Sequence, residues 1–324
     1  MFCAFCAKAA AVHGHYRFFS DFSSCHLSVA VVSIEGDRFC FNSPSDLCRF
    51  PPLSRKLPMS GQKFVSPELL QKRVDILGLQ VNRLDMFGAL EAIDGFIRND
   101  ERRFVVFPNL YCLTHGRRSP EYLQILNSAD LTLPDGLPLV WASRLLGQPV
   151  GGRVCGPDLF ELLNARAAER GYSVYFMGGG GAETVATRFL TRHPDLNVVG
   201  TFTPPYGPIE GELNDRILKD VACTKPDLFW VGLGAPRQEQ WVARNRERIQ
   251  ARVTLAVGGA FDYLIGSRRR APVWVREVGL EWGYRISQDL SLIWKKRYYA
   301  YLHEFFLPVA YEAARRSLKS SSVR

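Results

Sequence analysis

A chain of 324 residues has room for one large α/β domain or two modest ones. With 47% apolar and 23% charged residues it has the balance of a folded globular enzyme, not of a disordered chain. The net charge of +9 is unevenly placed: residues 59–267 carry 23 basic and 23 acidic side chains, and residues 268–324 carry twelve basic and five acidic. A neutral body argues against nucleic acid as the main partner, and a basic tail points to anionic lipid or a phosphorylated ligand.

Residues 1–58 show no sustained helical or alternating period and end in Pro51-Pro52 and Pro58. They are expected to be a poorly ordered extension that a chain starting at Met59 can dispense with. Five of the eight cysteines fall here: Cys3, Cys6, Cys25, Cys40 and Cys48. Cys3 and Cys6 form a C-x-x-C with no second pair at zinc spacing, so no metal site is expected. Cys112, Cys155 and Cys223 are expected to be buried small hydrophobes in a reducing compartment. No run of about 18 apolar residues is present, so no transmembrane helix is expected.

From Val74 the pattern becomes regular. Val74–Val81 is predicted to be a strand. Met86, Leu90, Ile93 and Ile97 recur at helical spacing behind Asp85, a candidate N-cap. A buried strand follows at Phe104–Phe107, then a helix over Leu110–Asn127 interrupted near Gly116–Pro120. A short strand at Leu131–Leu133 leads to a helix at Leu137–Leu146. Further helices are predicted at 158–170, 182–191, 212–223 and 238–249. They alternate with strands at 172–177, 198–202, 228–231 and 253–257. This alternation predicts an α/β, Rossmann-like fold, with a mainly parallel sheet covered by helices on both faces. Ligands of such sheets bind beyond the carboxyl ends of the strands, so the turns there are the place to look for chemistry.

Four of those turns are unusual: Phe107-Pro108-Asn109, Pro134-Asp135-Gly136, Gly178–Gly181 and Gly232–Glu239. Asp135 follows a strand and precedes Gly136; it suits a general base that takes a proton from an attacking hydroxyl, or equally an N-cap for the next helix. Gly178, Gly179, Gly180 and Gly181 lie between a strand and a helix, where glycine lets backbone approach a phosphate. The run lacks the G-x-G-x-x-G and G-K-[ST] patterns, which disfavours a dinucleotide-dependent oxidoreductase and excludes a P-loop. Gln238, in the first turn of its helix, can read a uracil edge or a sugar hydroxyl, or be solvent-facing filler. Asp262, after Gly258-Gly259, can bind a ribose or sugar hydroxyl or cap a turn. Arg153 can meet a diphosphate or lie on the surface. No D-x-D occurs in 59–267, so the carboxylate pair that commonly holds Mg²⁺ or Mn²⁺ against a nucleotide diphosphate is missing.

Several pieces occur together and in order. They are Leu133-Pro134-Asp135-Gly136, Arg153-Val154-Cys155-Gly156-Pro157-Asp158-Leu159, Val231–Glu239, Val257–Asp262, Arg270-Ala271-Pro272 and Leu280-Glu281-Trp282-Gly283-Tyr284-Arg285. The chain thereby resembles the WecG/TagA/CpsF glycosyltransferases (glycosyltransferase family 26) over roughly residues 74–300. The resemblance implies an inverting, metal-independent and cofactor-free transfer of a hexose, of the glucose or N-acetylmannosamine type. The donor would be a UDP-sugar and the acceptor a polyprenyl-diphosphate-linked sugar, in bacterial surface polysaccharide synthesis. It implies Asp135 as base and Asn109, Arg153 and Gln238 on the donor side. The sequence departs from the family at Phe107, where a Thr is usual, and at Asp289, Leu290 and Leu292; a UDP-hexose such as UDP-glucose is expected from the first departure.

The tail completes the expectation. Leu290, Ile293, Trp294, Tyr298, Tyr301, Leu302, Phe305 and Phe306 recur at helical spacing, with Lys295 and Lys296 off that face. Residues 268–324 are therefore expected to be an appendage that docks on the cytoplasmic leaflet, or else a helix packed on the body. Arg270, Arg285, Lys295 and Lys296 are its candidates for gripping a diphosphate. The expected organisation is an extension over 1–58, a catalytic domain over 59–267 and the appendage over 268–324. The expected partners are the donor, the acceptor and an anionic membrane surface, with self-association left open. A non-catalytic membrane-surface module is the alternative, and it would make Asp135 dispensable.

Overall fold

The structure is a computed structural model that describes residues 67–277, 280–288 and 299–321. The extension expected over residues 1–58 lies outside the described residues, as do Asp289, Leu290, Leu292, Lys295 and Lys296. After a short helix, Pro67–Gln71 (α1), the single strand expected at Val74–Val81 is instead a hairpin. Its strands are β1 (Arg73–Ile76) and β2 (Leu79–Asn82), with Val74 opposite Val81. Leu77 and Gly78 both take positive φ, 54° and 93°, as a tight two-residue hairpin turn requires. Asp75 accepts a hydrogen bond from the Gly78 backbone N–H at 3.1 Å.

Asp85 caps α2 (Met86–Arg98) by accepting from the Gly88 N–H at 2.7 Å. Strand β3 (Arg103–Val106) leads into α3 (Leu110–Arg118) and α4 (Pro120–Ser128). Ser119 ends the first helix and caps the second, and Pro120 starts the second, so the expected interruption is a clean break. Then come β4 (Leu131–Thr132), α5 (Leu137–Leu145) and α6 (Gly156–Arg170). Beyond them lie β5 (Ser173–Gly178), α7 (Ala182–Arg192), β6 (Asn197–Phe202), α8 (Gly211–Thr224) and β7 (Leu228–Gly232). Helix α9 (Arg237–Asn245), β8 (Val253–Ala256), α10 (Ala260–Ile265), α11 (Val273–Glu277) and α12 (Glu281–Gln288) follow. A π turn, Leu302–Phe306, runs into the last helix, Leu307–Ser321.

The main sheet has six strands in the order β4-β3-β8-β7-β5-β6, all parallel, as the alternating pattern predicts. One face packs on α3, α4, α5, α8 and α9, through residues such as Phe104, Tyr175, Phe229 and Ala256. The other packs on α2, α6, α7 and α10, through Val105, Phe176, Trp230 and Leu255. The helix after β5 therefore lies on one face and the helix after the neighbouring β7 on the other. Such a divergence opens a crevice beyond the carboxyl ends of the strands, where α/β sheets bind ligands.

On the α6 side Phe160 touches Phe176, Phe189, Trp230 and Phe261, with centroids 4.5–5.8 Å apart. Phe107 is buried in the same core and lies against Gly156. It is a packing residue at the start of α6, so the donor preference inferred from it loses its structural motive. Cys112 and Cys155 are buried as expected, whereas Cys223 is exposed.

In the tail, Tyr301, Phe305 and Val309 are buried against the α3–α5 face. Arg118 pairs with Glu304 at 2.5 Å, and Arg316 donates to the Leu146 carbonyl at 2.9 Å. Over its described part, the apolar face expected to meet a membrane turns Tyr301 and Phe305 to the body and leaves Leu302 exposed. The described residues outside that contact still expose Trp274, Leu280, Tyr299, Leu307, Tyr311 and Leu318. Among the described residues, no helix is long and apolar enough to cross a membrane.

Candidate active site

Asp135 stands where three chain segments meet beyond the sheet. Its own N–H donates to the Pro108 carbonyl at 2.9 Å, and Val154 donates to the Pro134 carbonyl at 3.0 Å. The turn continues through Gly136 at φ 127°, ψ 143°, a conformation that a side chain would strain. Gly136, not Asp135, precedes α5, and that helix has no side-chain cap. Asp135 therefore stands one residue before the capping position. The half-buried Asp135 carboxylate acts electrostatically on Arg153, Cys155 and Cys112.

Arg153 is not a surface arginine: its side chain is 18% exposed. It bonds Asp158 at 3.3 Å, donates to the Arg276 carbonyl at 3.3 Å and lies 3.9 Å from Glu281. Burial opposes its charge, but Cys155, Asp135, Asp158 and Glu281 around it hold its pKa above the ordinary arginine value. Arg270 bonds the same Asp158 at 2.6 Å and donates to Cys155 Sγ at 3.2 Å, and Arg276 stands 3.8 Å from Asp158. Burial would raise the Asp158 carboxyl, yet the bond from Arg270 and the charges of Arg270, Arg153 and Arg276 hold it below the usual carboxylate range. The Nε atoms of Arg270 and Arg276 are buried without hydrogen-bond partners. Three guanidinium groups thus share the carboxylates of Asp158 and Glu281, an arrangement electrostatically suited to an added anion. Arg276 carried no signal in the sequence beyond its charge. Of the other basic candidates, Arg285 is in α12 with its side chain outside the description, and Lys295 and Lys296 are outside it altogether.

The remaining candidates are spread along the same edge. Asn109 caps α3, its side-chain oxygen accepting from the Tyr111 and Cys112 N–H groups at 3.0 and 3.2 Å. Gln238 is 3% exposed, so it is not solvent-facing filler. Its amide is also filled: Nε2 donates to Glu239 and to the Ala256 carbonyl, and Oε1 accepts from the Gly234 and Gly258 N–H groups. With two donors and two acceptor positions occupied by protein groups, it ties the turns after β7 and β8 together. Gly178 likewise has a packing reason. A Cβ there would come 2.7 Å from Phe261, and one on its partner Gly232 would come 2.4 Å from it. Gly179 faces open space, and Gly180, at φ 84°, lies opposite Asp262, whose Oδ1 is 4.0 Å from the position of a Cβ there. Asp262 pairs with Arg268 at 3.5 Å. At the start of α7 the Ala182 N–H donates to Thr203 Oγ1 at 2.8 Å, so one of the donors expected for a phosphate is taken.

A cavity of about 380 Å³ opens beyond β6 and β7. Tyr206, Leu233, Arg237, Gln240, Trp241 and Arg244 line it. Tyr206 is fully exposed, with the Arg237 guanidinium 5.7 Å from its ring centroid. Arg237 also donates to the Gly207 carbonyl. No sequence pattern marks this cavity: the segments after β6 and β7 that line it lie some 30 residues apart, and only the fold brings them together.

An open parallel sheet with a carboxylate, clustered arginines and glycine turns along its carboxyl edge has the build of an α/β enzyme that works on ligands in that crevice. The sequence profile of the glycosyl transferase WecG/TagA/CpsF family matches residues 74–319, and the chain belongs to that family. Similar proteins are the N-acetylglucosaminyldiphosphoundecaprenol N-acetyl-beta-D-mannosaminyltransferases of Staphylococcus aureus strains MW2 and MRSA252. Each is 28% identical over 228 residues, covering 69% of this chain and 86% of the relative.

Proposed function

We propose that this glycosyltransferase moves a hexose from a UDP-sugar to a sugar carried on a polyprenyl diphosphate, with inversion and without a metal, and that Asp135 is the general base. The observation that carries the reading is a half-buried carboxylate on a glycine-held turn, next to three arginines gathered around Asp158. In the reaction the acceptor hydroxyl oxygen attacks the anomeric carbon and passes its proton to Asp135. The bond from that carbon to the diphosphate oxygen breaks, and the electron pair leaves with UDP. Developing charge on the diphosphate calls for fixed positive groups, and Arg153, Arg270 and Arg276 are of that kind.

The cavity suits the nucleoside end of the donor, since Tyr206 offers a ring face and Arg237 and Arg244 offer charge. Neighbouring strands lie about 4.8 Å apart, so the three steps from β4 to β7 span roughly 14 Å, the scale of a nucleotide diphosphate. The activity for which the relatives are named favours N-acetylmannosamine as the sugar and a lipid-linked N-acetylglucosamine as the acceptor. Exposed Trp274 and Tyr299 and the tail's basic charge favour peripheral docking at the cytoplasmic leaflet.

The test is UDP release with a panel of UDP-sugars and a lipid-diphosphate-sugar acceptor in anionic vesicles, with and without EDTA. Release that needs both substrates and survives EDTA is expected, together with co-sedimentation that weakens as salt rises. No release with any UDP-sugar would sink the donor reading. Loss in EDTA restored by Mg²⁺ would sink the metal-free reading, and a protein that stays in the supernatant at low salt would sink the docking.

A further inference from the structure

We propose that Glu239 is a positioning residue for sugar transfer, acting through Gln238 to hold the turns after β7 and β8 together. Glu239 lies in the first turn of α9 and is 2% exposed. A carboxyl group so deeply buried is costly unless hydrogen-bonded. Oε1 accepts from Gln238 Nε2 at 2.8 Å, and Oε2 accepts from the Tyr122 hydroxyl at 3.3 Å. Gln238 spends its second N–H on the Ala256 carbonyl at 3.1 Å. Its Oε1 accepts from Gly234 at 3.1 Å and from Gly258 at 2.9 Å. Gly234 belongs to the turn that borders the cavity, and Gly258 to the turn that leads to Asp262. One amide group therefore joins the two turns.

Glu239 keeps that amide in register. Without an acceptor at Oε1, one Gln238 N–H is buried and unpaired. A flip of the amide to relieve it would set Nε2 against the Gly234 and Gly258 N–H groups, donor against donor. The titratable groups around Glu239 are Tyr122 on α4 and Cys112 on α3, with the His115 ring 5.1 Å from that of Tyr122. Burial pushes the Cys112 thiol up to about 12 and the Tyr122 hydroxyl well above its ordinary value, so both stay neutral. Burial also pushes the Glu239 carboxyl up to about 7, against the pull of Gln238, its own backbone N–H and Tyr122. Glu239 gains its charge as pH rises through that value, and the bond from Gln238 strengthens with it.

The kinetic part rests on the transfer reaction proposed above, so two readouts on the full chain separate the claims. One is kcat and KM for the UDP-sugar against pH; the other is amide hydrogen exchange at Gly234 and Gly258. In Glu239→Leu, kcat/KM is expected to fall about tenfold, mainly through KM, and exchange at both glycines to quicken by a similar factor, the order expected for one orphaned buried donor. Glu239→Gln restores the acceptor and is expected to recover both readouts while losing the inflection near pH 7. Tyr122→Phe, which leaves the Gln238 bond intact, is expected to stay near wild type. A folded Glu239→Leu variant with wild-type exchange and kinetics overturns the proposal, as does a Tyr122→Phe variant equally impaired. If wild type transfers no sugar yet the exchange difference appears, the proposed function fails and the clamp stands.

Discussion

Asp158 gathers Arg153, Arg270 and Arg276 around one carboxylate, and its own charge decides whether they stay together. Its folded pKa lies below the ordinary aspartate value, so its contribution is full above that value and is lost as pH falls through the lower, folded one. Asp158→Asn should therefore cost about 2 kcal/mol at neutral pH, somewhat less than a fully buried pair because the side chain keeps some solvent, and much less in acid. Chemical denaturation at several pH values checks this; a cost that does not change with pH would contradict it. Asp135 and Arg153 could be picked from the sequence because a carboxylate before glycine and an arginine among glycines are uncommon in strand-end turns. Gln238 could be picked too, but not its task. A residue type shows what a side chain can bond, and only the fold shows which of those bonds are already made.

At the scale of elements, Gly178 and Gly232 end the neighbouring strands β5 and β7 side by side so that Phe261 can lie across them. That contact fixes the start of α10 and with it Asp262. Gly232→Ala places a methyl 2.4 Å from a Phe261 ring carbon. It should destabilise the fold by about 1–3 kcal/mol, as overpacking does. Phe261→Leu should recover much of the loss in the double variant. Thermal melts of the two single variants and the pair decide it; additive losses would mean that the ring and the glycine do not meet. The alternation of strands and helices was legible because each buried strand is a short apolar run bounded by glycine, proline or a charge. The hairpin was not, because Val74, Ile76, Leu79 and Val81 remain apolar through a turn whose only marker is Gly78. The tail left two readings open. Tyr301 and Phe305 have the spacing of an amphipathic helix whichever surface they meet, and here that surface is the body.

Across the whole molecule, the strand order arranges the edge residues in a line. Asp135 follows β4, Asn109 β3, Asp262 β8, the Gln238 turn β7 and the glycine run β5, with the cavity beyond β6 and β7. Family membership fixes the class of enzyme, and the proposed roles are distributed along this line. The central claim is that Asp135 takes the proton from the acceptor. Single-turnover sugar transfer by Asp135→Asn, measured beside UDP binding by the same protein, tests it most directly. A general base contributes roughly 10²–10⁴-fold, so transfer should slow by that factor while UDP binds as in the wild type. A folded variant that binds UDP and transfers sugar at the wild-type rate would contradict the account.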